Sequence, residues 1–366
     1  MNSNSSLMKI VAGLAVLVLL GAIALRFVVR PDAQEAQPAG EISKFVRDST
    51  PPTERVLAIA QGSRPSESGD ENSEEHSLAV PREKADEFLA KHNRSAASLL
   101  AGYRALQDTN LLVEAAAKFP NDPQVQLAML NSPILPPAQR RQWLDAFKAS
   151  SPDNSLANYL SAAEHFNSGN SEAAIKELAE ASGKKPFKDY TMEAMIDEQE
   201  LRRFAGQNAF ESIHGNGWGA DLLAQLSPMK QVANGIHEAQ SKYAQSGDKA
   251  SADNLIQIGL GLAGRLDSGE GGRFMLSRMV GEGVEKKMLQ QLEQDTAYES
   301  LGGKTPKQRI EEMNQQKAER RKLMTALSSA YGKLSEDELM TYSDRMKAQG
   351  ELEALRWLQQ RVDTAK

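Results

Sequence analysis

The sequence predicts an all-α protein, and three observations support this prediction. Residues that lose little rotamer freedom in a helix, such as Ala, Leu, Met, Gln, Glu and Lys, are abundant along the chain. Beyond residue 81, apolar residues including Phe88, Leu99, Leu106 and Leu112 recur with helical rather than alternating spacing. Long alternating runs of Val, Ile, Thr and Tyr, which are typical of strands, do not occur. We therefore expect helices and no sheet.

The composition excludes several classes of function. Of the 366 residues, 40% are hydrophobic and 25% are charged, as in an ordinary folded domain. The formal net charge of -6 disfavours contact with phosphate backbones, so we expect no nucleic-acid partner. The chain contains no cysteine, which excludes disulfides, thiolate metal sites and cysteine nucleophiles.

Residues 1–30 are predicted to form a membrane anchor. Residues 10–25 are uncharged and almost wholly apolar, and Lys9 and Arg26 flank them. Extension to Val29 gives about twenty residues, enough to cross the hydrocarbon core if Arg26 reaches toward the headgroups. The apolar positions that define this segment are Ile10, Leu14, Leu17, Leu20, Leu25 and Val29.

A cleavable signal peptide is the alternative for the same segment. Lys9 would form its basic end, and Ala22-Ile23-Ala24 has the small-x-small pattern of a cleavage site. Both interpretations place the bulk of the chain outside the cytoplasm. We expect either a bacterial inner-membrane protein with its body in the periplasm, or a protein exported after cleavage near Ala24.

Residues 31–81 are predicted to form a disordered stalk. They contain prolines at 31, 38, 51, 52, 65 and 81 and an acidic run at 67–75, so little apolar surface is available to offset ordering. Residues 41–46 and 54–60 are more apolar. They are either transient helices within the linker or a docking peptide for a partner.

The spacing of three prolines indicates a repeated helical unit. Pro120, Pro152 and Pro186 are separated by 32 and 34 residues, and each closes a helical stretch. Between the last two prolines the pattern is helix, turn, helix, with Gly169 in the turn. The framework positions on the two helices are Tyr159, Phe166, Ala174, Leu178 and Ala181.

This unit resembles the tetratricopeptide repeat, a pair of antiparallel helices of 34 residues. Ala174 matches the small residue at the start of the second helix, Leu178 and Ala181 match later positions, and Pro186 matches the closing proline. One good and two degenerate units cover residues 93–186. The resemblance implies a surface that binds a protein or peptide. A stack of generic helical hairpins is the alternative, and it predicts almost the same shape.

Longer helices are predicted beyond the hairpins. We assign residues 82–215 to helical hairpins, 216–300 to a bundle of longer helices and 301–366 to charged C-terminal helices. Individual helices are expected at 228–245, 251–266, 273–293, 307–331, 336–348 and 351–363. Ser335 and Glu338 have the spacing of a capping box.

No catalytic residue, cofactor or metal ligand is predicted. Gly259 to Gly264 spells a dinucleotide-binding fingerprint, but the residues before it read as helix, so we expect close helix packing instead. The histidines do not form a His-Glu-x-x-His pattern. The basic cluster on residues 307–331 is either a solvated helix face or a dock for an acidic partner; its members are Lys317, Arg320, Arg321 and Lys322.

The segment from His214 to Gly219 is predicted to be a loop. Its glycines and Trp218 suit either a mobile connection between the two helical regions or a cover over a small ligand. The favoured function is therefore a membrane-associated, non-catalytic helical-repeat scaffold or adaptor in the cell envelope, with an unidentified protein or peptide partner. An envelope enzyme or small-ligand receptor that uses His214–Gly219 is one alternative, and a purely structural spacer is another.

Overall fold

The computed structural model describes residues 78–215, 217–330 and 333–364. Within these ranges the chain forms fifteen α-helices, a 3₁₀ turn at Glu299–Leu301 and no strand, so the all-α prediction is confirmed there. None of these helices combines the length and the hydropathy that a membrane crossing requires. The proposed anchor, from Ile10 to Val29, and the stalk up to residue 77 lie outside the described residues.

The first seven helices are short and form three successive hairpins, α2–α3, α4–α5 and α6–α7. Polar side chains accept hydrogen bonds from backbone N–H groups at several of their N-termini, as Asp122 does before α4 and Asn154 before α6. The polar residues that follow Pro120 and Pro152 therefore start α4 and α6. The helices are α1 (Arg82–Lys91), α2 (Ala96–Leu106), α3 (Thr109–Lys118), α4 (Pro123–Asn131), α5 (Pro137–Ser150), α6 (Ser155–Asn167) and α7 (Ser171–Ser182).

The α6–α7 hairpin contains the positions that define the predicted repeat. Tyr159, Ala174, Leu178 and Ala181 are fully buried, whereas Phe166 is half-buried. Gly169 has a left-handed backbone (φ 77°) in the turn. Pro120, Pro152 and Pro186 lie beyond the ends of α3, α5 and α7, and the Pro186 carbonyl accepts a hydrogen bond from the Ser155 amide (3.0 Å). Membership of the tetratricopeptide family stays a prediction.

Five helices follow, and the longest of them corrects the sequence analysis. They are α8 (Thr191–Phe204), α9 (Ala209–Ile213), α10 (Gly217–Gln245), α11 (Lys249–Asp267) and α12 (Met275–Leu289). A start at Pro228 was expected because proline favours the first turn of a helix. That start is wrong, since Pro228 lies inside α10. Burial of Leu226 and Met229 on either side offsets the roughly 3 kcal/mol that an interior proline costs.

The same helix corrects the predicted His214–Gly219 loop. His214 is the residue that follows the last turn of α9, and Gly217 to Gly219 already belong to α10. Only residues 214–216 connect the two helices, and Asn216 lies outside the described residues. The loop is shorter than predicted because α10 extends eleven residues before Pro228.

The glycine tract from Gly259 to Gly264 lies inside α11, which confirms the prediction of close helix packing. A Cβ atom on Gly259 would lie 2.3 Å from Sδ of Met288 in α12. A Cβ atom on Gly281 of α12 would lie 2.9 Å from the Ala263 carbonyl oxygen. The tract therefore lets α11 and α12 approach each other, and no strand precedes it.

The C-terminal helices are α13 (Pro306–Ala330), α14 (Glu336–Gln349) and α15 (Glu351–Thr364). The predicted capping box of Ser335 and Glu338 is confirmed at the start of α14. Glu336 accepts a hydrogen bond from the Ala209 amide (3.0 Å), and Glu351 accepts one from the Met275 amide (2.8 Å). Carboxylates of α14 and α15 thus cap the N-termini of α9 and α12.

One main cluster of buried apolar residues extends from Leu89 in α1 to Leu358 in α15. It includes residues from each of the predicted segments 82–215, 216–300 and 301–366. The division of the body into these three segments stays a prediction, and the contacts between helices cross both of its internal boundaries.

Candidate functional site

The first helices of the three hairpins all pack against the same later helix of the chain. Helices α2, α4 and α6 all contact α10, and α8 contacts both α2 and α10. We define the inner face as the side of α2 and α4 that faces α8 and the start of α10. Helices α8 and α10 of the same chain therefore cover this face.

A buried ion pair crosses this interface. Nε of Arg104, in α2, lies 2.7 Å from Oδ2 of Asp221, in α10, and both residues are more than nine-tenths buried. Nη1 of Arg104 is buried and has no hydrogen-bond partner in the protein. A buried charge that is incompletely hydrogen-bonded loses much of its solvation without full compensation. The pair is therefore weak evidence of net stabilisation, although removal of either partner would leave a buried, unpaired charge.

A cavity of about 10 Å³ lies beside the ion pair. Gln225 of α10 donates from Nε2 to the Asp189 carbonyl (3.1 Å), and its Oε1 atom has no partner in the protein. The cavity is about the size of one water molecule and is too small for an organic substrate. Its lining is formed by Arg104, Gln124, Leu127, Ala128, Asn131, Asp189, Tyr190, Thr191, Ala194, Asp221 and Gln225.

Two further carboxyl groups lie near this interface, and burial raises the pKa of each to about 6. Asp189 precedes α8 and accepts a hydrogen bond from the Thr191 amide (3.0 Å), which partly opposes the rise in its pKa. Asp197, in α8, is also raised mainly by burial, and the positive charge of Arg104 opposes the shift. Both groups are therefore charged at neutral pH against the preference of their surroundings.

A second polar cluster holds the first described residues against the body. Arg202 of α8 forms a buried ion pair with Glu198 (2.9 Å) and donates from Nη1 to the Leu78 carbonyl (2.7 Å). Gln207 donates from Nε2 to the Ala79 carbonyl (3.3 Å), and the Val80 side chain is buried. Residues 78–81, which the sequence analysis assigns to the stalk, contact the folded body. We name these contacts the stalk junction.

The glycine-rich segment that the sequence analysis selected lies at this stalk junction. A Cβ atom on Gly215 would lie 1.9 Å from Nε of Arg202, so only glycine fits there without displacing that side chain. The His214 ring stacks on Phe210 at 4.1 Å, and Nδ1 of His214 lies 2.6 Å from the Phe210 carbonyl oxygen. Burial lowers the pKa of His214.

A catalytic or ligand-binding role for His214 stays a prediction, because none of the described contacts favours it. The side chain of Trp218 lies outside the described residues. Within the described ranges no group of three or more His, Cys, Asp or Glu residues could hold a metal ion.

The four residues of the basic cluster of α13 differ in their exposure to solvent. Arg320 pairs with Glu282 of α12, and both side chains are largely buried. Arg321 and Lys322 are exposed, and Lys317 is half-buried. Arg320 therefore connects α13 to α12, and the remaining three residues carry the positive charge that a partner could reach.

The described residues define an all-α protein of successive helical hairpins whose inner face is covered by a long helix of the same chain. Comparison of the chain with models of protein families, with curated proteins and with solved structures gives no match. The inner face holds a buried ion pair between helices distant in sequence, Arg104–Asp221, and the stalk junction holds a buried ion pair within α8, Arg202–Glu198. Arg104 and Asp221 belong to no sequence pattern. Gly215 lies in the glycine-rich segment predicted from the sequence, whereas its neighbour Arg202 lies outside that segment.

Proposed function

We propose that this protein is a membrane-associated, non-catalytic scaffold or adaptor of the cell envelope that binds a protein or peptide partner. The observation that carries the proposal is that the first helices of three successive hairpins together hold another helix, α10. A surface that packs one helix along its length has the geometry used for helix-in-groove recognition. The apolar segment at residues 10–29 supplies the membrane attachment.

The stalk junction supports this role. An adaptor positions its partner only if its tether joins the body at a defined place. The carbonyl groups of Leu78 and Ala79 are held by Arg202 and Gln207, so the chain enters the body along a fixed path. The acidic and proline-rich residues before it have the composition of a spacer that sets reach.

Affinity capture of the full-length chain from solubilised envelopes tests the proposal. We expect a partner to co-purify with the wild-type chain at constant stoichiometry, and protease added to spheroplasts to degrade the body. A chain that stays alone at near-native abundance, or a body that is fully protected in spheroplasts, would contradict an envelope adaptor.

A further inference from the structure

We propose that the inner face of α2 and α4 is the docking surface for a partner helix, and that residues 217–227 of α10 cover it until that helix displaces them. This inference rests on the proposed adaptor function and names the site and the partner chemistry. The occupant is an amphipathic helix that carries a carboxylate beside its apolar stripe. The two halves of α10 differ in how they pack against the rest of the protein, and this difference supports the inference.

The second half of α10, after Pro228, is packed tightly. A Cβ atom on Gly235 would lie 2.4 Å from the Phe166 ring of α6, so the two helices are in close contact. Val232 and Ile236 are fully buried. Lys287 of α12 donates to Oδ1 of Asn234 (2.8 Å). This half is an integral part of the core.

The first half of α10 makes a different kind of interface. Its buried stripe contains Asp221 and Gln225 beside Leu222 and Leu226. The polar members leave Nη1 of Arg104 and Oε1 of Gln225 without protein partners around a cavity. Each incompletely satisfied buried group around this cavity costs free energy. The first half is therefore the less stable part of the helix.

Pro228 separates the two halves. Proline has no N–H group and cannot donate to the carbonyl of residue 224, so the helical hydrogen-bond ladder is interrupted there. Sharp bends in helices occur at such positions. The first half can leave the inner face while the second half stays packed against α6, because the interruption lies between their two interfaces.

Residues 217–227 of α10, which form this internal cover, also indicate the chemistry of the helix that would replace them. Asp221, Leu222, Gln225 and Leu226 follow the one- and four-residue spacing of a single helix face. Arg104 is the only cation in the lining of the cavity, so a competing helix needs a carboxylate to take the place of Asp221. A partner without that carboxylate would leave Arg104 buried and unpaired, which is strongly unfavourable. Arg104 thus selects an acidic amphipathic helix.

A labelled synthetic peptide of residues 217–227 is the probe, added to the purified full-length chain in detergent. We expect Asp221→Asn to bind the peptide roughly tenfold or more tightly than wild type, because weakening the internal cover raises the fraction of open chains. The control Asp253→Asn, an exposed position of α11, should match wild type. Arg104→Gln should abolish binding, as should an Asp-to-Asn change in the peptide.

Equal peptide binding by the Asp221→Asn and Asp253→Asn chains overturns the inference, as does retained binding by Arg104→Gln. Hydrogen exchange of the wild-type chain gives a second test that needs no variant. Amides of residues 219–227 should exchange roughly tenfold faster than those of residues 229–243. Equal protection of the two halves contradicts an internal cover.

The outcomes separate this inference from the adaptor function on which it rests. Capture of an envelope partner by both wild-type and Arg104→Gln chains would keep the adaptor function and reject the inner face as its docking surface. Peptide binding in vitro without any captured partner would keep the inner face and reject the adaptor function.

Discussion

Arg265 shows how one side chain completes a distant helix. From α11, its Nη2 group donates to the carbonyl oxygens of Ala181 (3.2 Å), Ser182 (3.2 Å) and Lys184 (2.7 Å) at the end of α7. Its guanidinium also lies over the Tyr159 ring, 6.0 Å from the centroid. The last carbonyls of a helix have no partner within the helix, and a planar cation with several donors can satisfy them together.

We predict that Arg265→Lys lowers the free energy of unfolding by about 1–3 kcal/mol, because lysine keeps the charge but cannot reach three carbonyls. Urea denaturation measures the change. Arg321→Lys, at an exposed position, is the control and should change stability by less than about 0.5 kcal/mol. Equal losses in both variants would mean that the carbonyl contacts of Arg265 do not contribute.

Gly215 is a second residue whose role depends on a neighbour distant in sequence. Gly215→Ala should displace Arg202 and lower the free energy of unfolding by about 1–3 kcal/mol, as overpacking does. Because Arg202 holds the Leu78 carbonyl, amide hydrogens of residues 79–82 should also exchange faster. Gly219→Ala is the matched control, since no atom lies within 4 Å of its Cβ position. A stalk junction with unchanged exchange in Gly215→Ala would contradict the prediction.

The close contact between α6 and α10 depends on glycine at position 235, which has no side chain. We predict that Gly235→Ala lowers the free energy of unfolding by about 1–3 kcal/mol, because the added methyl group meets the rigid Phe166 ring. Gly264→Ala, inside α11 with open space around it, should instead gain up to about 1 kcal/mol from helix propensity. Thermal unfolding monitored by circular dichroism compares the two variants.

A double variant tests the cause of that loss. Phe166→Leu removes the ring that the new methyl group would meet, so its combination with Gly235→Ala should cost less than the sum of the two single changes. Additive losses would show that the Gly235→Ala effect does not come from the Phe166 contact.

Helices with strong local signals were predictable, whereas the start of α10 was not. The capping box of Ser335 and the turn before Pro123 are local patterns, and the structure has helix starts at both. The start of α10 depends on tertiary packing, because the burial of Leu222 and Leu226 outweighs the preference of Pro228 for a first turn. Local propensity is a weak guide where a helix is held by its neighbours.

The all-α fold class was predictable from periodicity, whereas the inner face was not. Arg104 and Asp221 are 117 residues apart, and neither belongs to a motif. The only local hint is that Asp221 and Gln225 fall on the same face as Leu222 and Leu226, which puts polar residues within an apolar stripe. The sequence shows that such a stripe exists but not which cation it meets.

The carboxyl groups of the described residues that have shifted pKa values predict an optimum of stability in mildly acidic solution. Burial raises the pKa of Asp189 from 3.8 to about 6. A group with a raised pKa contributes stability below its unfolded value, and this contribution is lost as pH rises through about 6. Ion pairing lowers the pKa of Glu114 and Glu338 from 4.5 to about 2. Their contribution is present above 4.5 and is lost as pH falls toward 2, so stability should be highest near about pH 4 to 4.5 and should decline as pH rises through about 6.

Asp189→Asn tests which group controls the alkaline side of this optimum. Asn keeps an oxygen that can accept from the Thr191 amide, removes the buried charge and relieves its repulsion with Glu193 and Glu270. We predict that the variant gains about 1–3 kcal/mol over wild type at pH 7.5 and little at about pH 4, measured by urea denaturation.

The control Asp253→Asn, at an exposed position, should keep the wild-type slope between about pH 4 and 7.5. A wild-type chain that is most stable at pH 7.5, or an Asp189→Asn chain with an unchanged slope, would contradict the assignment. Asp189 lines the cavity beneath residues 217–227. The same rise in pH should therefore lower the protection of amides in that half of α10 more than the protection of amides in the rest of the body.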